Sequence, residues 1–168
     1  MFCWELGLQL RRDVLPALDA TGVKLFAVGI GSQESALEFA DRLEFPAELM
    51  LADTSEEADA YAAVGTRNTQ RDATGKQIFE GVESMWSQRT NDAIKARGRD
   101  DLNEITGSLF NPGPYKPLMP TGPKAMERTF VQGGAFVFEG SKELYGHYDF
   151  SSGDHADLDE VVRVALSR

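Results

Sequence analysis

A chain of 168 residues with 42% hydrophobic and 26% charged side chains has the make-up of a globular domain, long enough to bury roughly two thirds of its unfolded surface. The 17 basic and 27 acidic side chains leave a net charge of -10, which repels phosphate backbones and anionic lipid and argues against nucleic-acid and membrane partners. The single cysteine, Cys3, excludes an internal disulfide and a cysteine-rich metal centre, and fits a reducing compartment.

Residues 2–18 read as a helix, with Phe2, Leu6, Leu10, Val14 and Leu18 forming an apolar stripe at every fourth position. Pro16 falls near its end, where the ring would meet the Arg12 carbonyl and kink or stop the last turn. The apolar run at 24–30 predicts a buried strand parallel to its neighbours. Ser32 is placed to cap a helix over 33–43, with Glu34 in its first turn. A short strand is expected at 48–52, and Thr54-Ser55-Glu56-Glu57 reads as a capping box for a helix carrying Ala58, Tyr61 and Ala62. This alternation argues for a parallel sheet with helices on its faces.

The middle of the chain, 66–128, is less regular. A helix is expected over 80–96, with Val82, Met85, Trp86 and Ile94 as packing positions, and the span 111–123 holds five of the seven prolines, too many for a regular element. Strands at 135–138 and 143–148 form a hairpin, and a last helix begins near Asp157 with Leu158, Val161, Val162, Ala165 and Leu166 on one face. The whole of 1–168 is read as a single domain, with the irregular stretch as an insertion.

Several local patterns invite chemistry. Gly29-Ile30-Gly31 lacks the third glycine of a dinucleotide loop, and Ser32 fits capping better. His147 and His155 have no carboxylate cluster at ligand spacing, so neither a metal nor another cofactor is expected. Gly153-Asp154-His155 has an acid–base look but no nucleophile beside it, and capping of the last helix is the preferred role.

Taken together, Cys3-Trp4-Glu5-Leu6, Gly22-Val23-Lys24-Leu25, Val28-Gly29-Ile30-Gly31, Phe45-Pro46, Ala52-Asp53, Gln132-Gly133-Gly134 with Phe136-Val137-Phe138, and Gly153-Asp154-His155 resemble the peroxiredoxin-like AhpC/TSA-type antioxidant family. The resemblance runs from Phe2 to about Ala165 and is weakest between Asn68 and Met126. It implies a thioredoxin-like α/β fold, a three-layer sheet with helices on both faces. In that family the opening reads Cys-Pro-x-Cys-Trp-Glu-Leu after a central strand. Cys3 then matches the second cysteine, the resolving one, and the expectation is an N-terminally truncated chain lacking the central strand and the first cysteine. The strands at 24–30 and 135–138 would either keep open edges or pair with each other.

The function implied is thiol-dependent reduction of peroxides or disulfides, closed by an external thiol reductant. Cys3 is the candidate catalytic residue. Candidate substrate-binding residues are Trp4, which could equally be packing, and Gln132, Gly133 and Gly134, whose bare backbone would admit a peroxide or could equally be a simple turn. The alternative is a non-catalytic thioredoxin-like module that binds a protein partner around Cys3 and Gly133. A cytoplasmic or plastid-stromal location is consistent with the resemblance.

Overall fold

The computed structural model describes residues 1–111, 113–116, 118 and 121–167. The chain opens with helix α1 (Phe2–Gln9), which runs through a π-helical turn at Leu10–Val14 into α2 (Leu15–Leu18). Within that turn the Leu15 N–H reaches back five residues to Leu10 O. The widening comes just before Pro16 and makes room for a ring that an ordinary α-turn would drive into the Arg12 carbonyl, so the helix continues. Phe2, Trp4, Leu8, Val14 and Leu18 are buried along it, each contributing about 1.5–3 kcal/mol. The buried set is wider than the expected stripe because the helix packs on two sides. Trp4 and Leu8 join a cluster with Ala36, Ala40, Leu43, Phe45 and Met50, while Val14 and Leu18 meet Val137 and Ala165.

Strand β1 (Ala27–Ile30) is followed by α3 (Gln33–Leu43), where the Ser32 side chain accepts from Ser35 N as expected. A 3-10 turn at Ala47–Leu49 leads into β2 (Met50–Asp53), which pairs with β1 in parallel register, Ala27 opposite Met50 and Ile30 opposite Asp53. The expected buried strand at 24–30 is shorter than its apolar run and only partly covered, with Phe26 52% exposed. Helix α4 (Asp59–Ala63) starts later than the proposed capping box, with Ala58 in the left-handed region. The Ser55 hydroxyl takes Asp59 N, and the Asp53 carboxylate takes Ala60 N. Glu57 serves no cap; it pairs with Arg71 and Lys124.

The helix expected over 80–96 is α5 (Gln88–Arg97), capped by Ser87, so Val82, Met85 and Trp86 precede it. Trp86 is 76% exposed rather than packed. The further helices α6 (Asp100–Phe110) and α7 (Ala125–Thr129) flank the proline-rich stretch, part of which lies outside the described residues. Strands β3 (Gly134–Glu139) and β4 (Lys142–Tyr148) form the expected antiparallel hairpin, with a register irregularity between Val137 and Phe138. Helix α8 (Leu158–Leu166) closes the fold, the Asp157 carboxylate accepting from Asp159 N and Glu160 N. Among the described residues β1 pairs only with β2 and β3 only with β4, giving a mixed α/β fold with two small sheets. Of the two outcomes expected for β1 and β3, open edges are observed and direct pairing is not.

Candidate functional site

Cys3 is the second residue of α1, on a helix start that the chain clamps from outside. Phe2 is buried against Ile94 and Leu102, and the 151–155 loop folds over it. A Cβ on Gly153 would come within 2.9 Å of the Phe2 ring, so this left-handed position excludes any side chain. Arg97 from α5 fastens the arrangement, holding both carboxylate oxygens of Glu5 (2.9 and 3.1 Å) and donating to Gly153 O (3.0 Å).

Cys3 is an exposed residue, yet its sulfur lies among enough protein that loss of hydration is the largest influence on its ionisation. Desolvation pushes its pKa up, the α-amino group pulls it down, and the charge of Asp149 pushes it up again. Tyr61 lies on the other side. Its hydroxyl donates to Val28 O (2.7 Å), and desolvation first, then the charges of Cys3, Asp53 and Asp149, push its pKa up. Gly31 N–H turns toward β2 to reach Asp53 O, so by strand alternation Val28 turns its carbonyl away from β2. Tyr61 therefore covers part of the open β1 edge beside Cys3.

Behind the thiol sits a cluster that the sequence reading did not assemble. Asp149 is 8% exposed and takes His147 Nε2 at 3.4 Å on Oδ1 and His155 Nδ1 at 3.5 Å on Oδ2. Burial pushes the Asp149 carboxyl up, but the hydrogen bonds and charges of the two histidines outweigh it and hold the group below its usual range. His147 is raised, chiefly by Asp149. The sequence expectation concerned a carboxylate cluster at ligand spacing; what meets these histidines is a single carboxylate, brought to both because the chain turns back after β4. His147 and Asp149 are two apart at the end of a strand, and that period-two spacing was the available signal. His155 also reaches Phe2 O (3.3 Å), and Asp154 accepts from Phe150 N while facing Arg89, so neither caps α8; Asp157 does. Ser151, read as an ordinary loop residue, is fully buried and bonds to Thr90 on α5.

The other candidate residues are placed as follows. Trp4 is 2% exposed, stacks on Phe39 (4.4 Å between centroids) and donates its indole N–H to Lys116 O, a packing position with little surface left for a ligand. Gln132 is buried, its side-chain amide on Phe130 O and its N–H on Arg67 O. Gly133 adjoins the cluster. Its carbonyl accepts from Asp149 N (3.1 Å), and a Cβ there would stand 3.1 Å from Asp149 Oδ2. Gly134 backs onto His147 O, where a Cβ would come within 2.4 Å. A separate cleft of about 430 Å³ between α1, α3 and α6 contains none of these residues. Its three cations are already paired, Arg11 with Glu44, Arg12 with Asp101 and Arg42 with Glu38.

The chain thus has a mixed α/β fold with its one cysteine in the first turn of a helix, near a carboxylate and two histidines. Residues 9–151 match the model of the AhpC/TSA antioxidant enzyme family, and the chain belongs to that family. The match begins six residues after Cys3 and takes in Gln132, Gly133, Gly134, His147 and Asp149. No curated protein and no solved structure matches the chain.

Proposed function

We propose that this protein is a peroxiredoxin-like antioxidant of thioredoxin-like fold, acting as a single domain through Cys3 and an external thiol. The supporting observation is an exposed cysteine in the first turn of a helix, in a chain whose residues 9–151 carry the AhpC/TSA pattern. In this reading β1–β2 and β3–β4 are two parts of one sheet. Leu10 and Leu25 pack with both apolar clusters, so the same helix backs both strand pairs.

With one cysteine the cycle runs through a sulfenic acid. The Cys3 sulfur attacks one oxygen of ROOH, the O–O bond breaks, and Cys3–SOH and ROH form, the thiol proton ending on the alcohol. Sulfur loses two electrons and the peroxide gains them. An external thiol then attacks the sulfenic sulfur and expels water, and a second thiol releases Cys3–SH and a disulfide.

The test is consumption of hydrogen peroxide and of an organic hydroperoxide, with dithiothreitol as reductant. Wild-type protein is expected to exceed the reagent blank, and Cys3→Ser to fall to the blank. Equal rates for the two proteins overturn the reading. One observation favours a second reading, a non-catalytic partner-binding module: desolvation and Asp149 both hold Cys3 in its unreactive protonated form. That reading expects a thiol that survives peroxide unchanged.

A further inference from the structure

Asp149 carries the negative charge that opposes Cys3 ionisation, yet its two partners are histidines rather than fixed cations. We propose that the His147–Asp149–His155 triplet is a positioning unit governing Cys3 reactivity, acting through His155, which joins Asp149 to the peptide that bears the thiol. The proposal rests on reading Cys3 as a redox thiol.

The hydrogen-bond geometry carries it. His155 Nδ1 faces an Asp149 oxygen at 3.5 Å, and its Nε2 faces Phe2 O, the carbonyl of the peptide that joins Phe2 to Cys3, at 3.3 Å. Both facing atoms can only accept, so only the ring with a proton on each nitrogen satisfies both contacts. His147 places one nitrogen, Nε2, between Asp154 O (2.7 Å) and Asp149 Oδ1 (3.4 Å), again two acceptors. A neutral His147 with its proton on Nε2 meets these contacts, so His155, behind the peptide bearing the thiol, is the ring whose two contacts call for a proton on each nitrogen.

The remaining charged groups nearby are accounted for. The α-amino group pulls the thiol down, while the Tyr61 hydroxyl from α4 is held protonated. Glu5 on α1 is neutralised by Arg97, and Asp154 faces Arg89. Asp149 is thus the negative charge set against the α-amino group at Cys3, and it acts most strongly when its histidines are neutral. The sign follows. At lower pH the charged imidazoles cancel Asp149 and the thiol ionises more easily than it otherwise would. As pH rises through the His147 titration that cancellation is lost, and the thiol becomes harder to ionise. The Cys3 titration is consequently spread wider than that of one isolated group.

The experiment is the alkylation rate of Cys3 by iodoacetamide from about pH 5 to about pH 10, a range bracketing histidine and thiol titration. Full-length wild type is compared with Asp149→Asn, His155→Gln and His147→Gln. Asp149→Asn is expected to lower the midpoint and raise the rate at neutral pH roughly threefold to tenfold, while each histidine variant lowers that rate comparably. The opposite signs are the diagnosis, because a loosened structure would expose the thiol in every variant alike. Superimposable profiles, or shifts in one direction for all, overturn the proposal. Should a variant fail to fold by circular dichroism, the wild-type curve decides: a broadened titration supports the triplet, and a single-group curve overturns it. Alkylation needs no peroxide, so shifted profiles without peroxide turnover would sink the redox reading and leave the triplet standing.

Discussion

Glu5 has no contact with solvent, and a carboxylate in that position is tolerable only because Arg97 meets both of its oxygens. The same guanidinium also holds Gly153 O, so one side chain ties α5, α1 and the loop that delivers His155. Arg97→Ala would leave a buried charge without a partner, a change that costs about 3–5 kcal/mol, and would free the loop over Phe2. Urea denaturation should show a loss of that order, and a loss below about 1 kcal/mol would mean that Glu5 is reached by water. Nothing in the sequence pointed to this pair, because its members are 92 residues apart. Asp149 and His155 are only six residues apart, but the turn that joins them has no periodic pattern to read. The nearer relation, His147 and Asp149 two residues apart, was legible and went unread because a pair of histidines was sought as metal ligands.

Among the elements, those with a strong local pattern were the ones sequence alone could place. The stripe of α8, the Ser32 cap of α3, and the β3–β4 hairpin all stand where their residues put them, whereas the cap of α8 is Asp157 and not the 153–155 stretch. Elements chosen by tertiary contact were not. Thr54-Ser55-Glu56-Glu57 looks like a cap, but Glu57 is drawn to Arg71 and Lys124, and the helix starts only after Ala58. The apolar residues at 82–86 look helical, but Glu83 bridges to Ser151 instead. Where local signal and structure agree, single changes should have local costs. Asp157→Ala removes the acceptor for two N–H groups at the start of α8, and about 1 kcal/mol of stability should go with it. Thermal melting would show this as a shift of a few degrees, and an unchanged midpoint would mean that water replaces the cap.

At the scale of the whole molecule, two strand pairs share one supporting helix and leave edges open at β1 and β3. Edges of this kind invite pairing with another chain, and charge is one of the ordinary defences. Here the net charge of -10 supplies it. The defence disappears near the sequence isoelectric point of about 4.7. Light scattering should therefore rise as pH is lowered from neutral toward that value, and added salt at neutral pH should produce part of the same rise by screening. A protein that scatters equally across the range would show the edges to be covered. The coarse class, helices and strands mixed with a thiol at a helix start, was readable from residues alone, whereas the division into two pairs depends on which edges meet in space.

The two tryptophans lie in opposite environments, Trp4 stacked on Phe39 in the core and next in sequence to Cys3, Trp86 almost bare. Their light emission should accordingly divide into a blue component that dissolved quenchers cannot reach and a red one that they extinguish readily. The blue component, one residue from the thiol, gives the protein a built-in optical gauge of events at Cys3, with the red one as its internal standard.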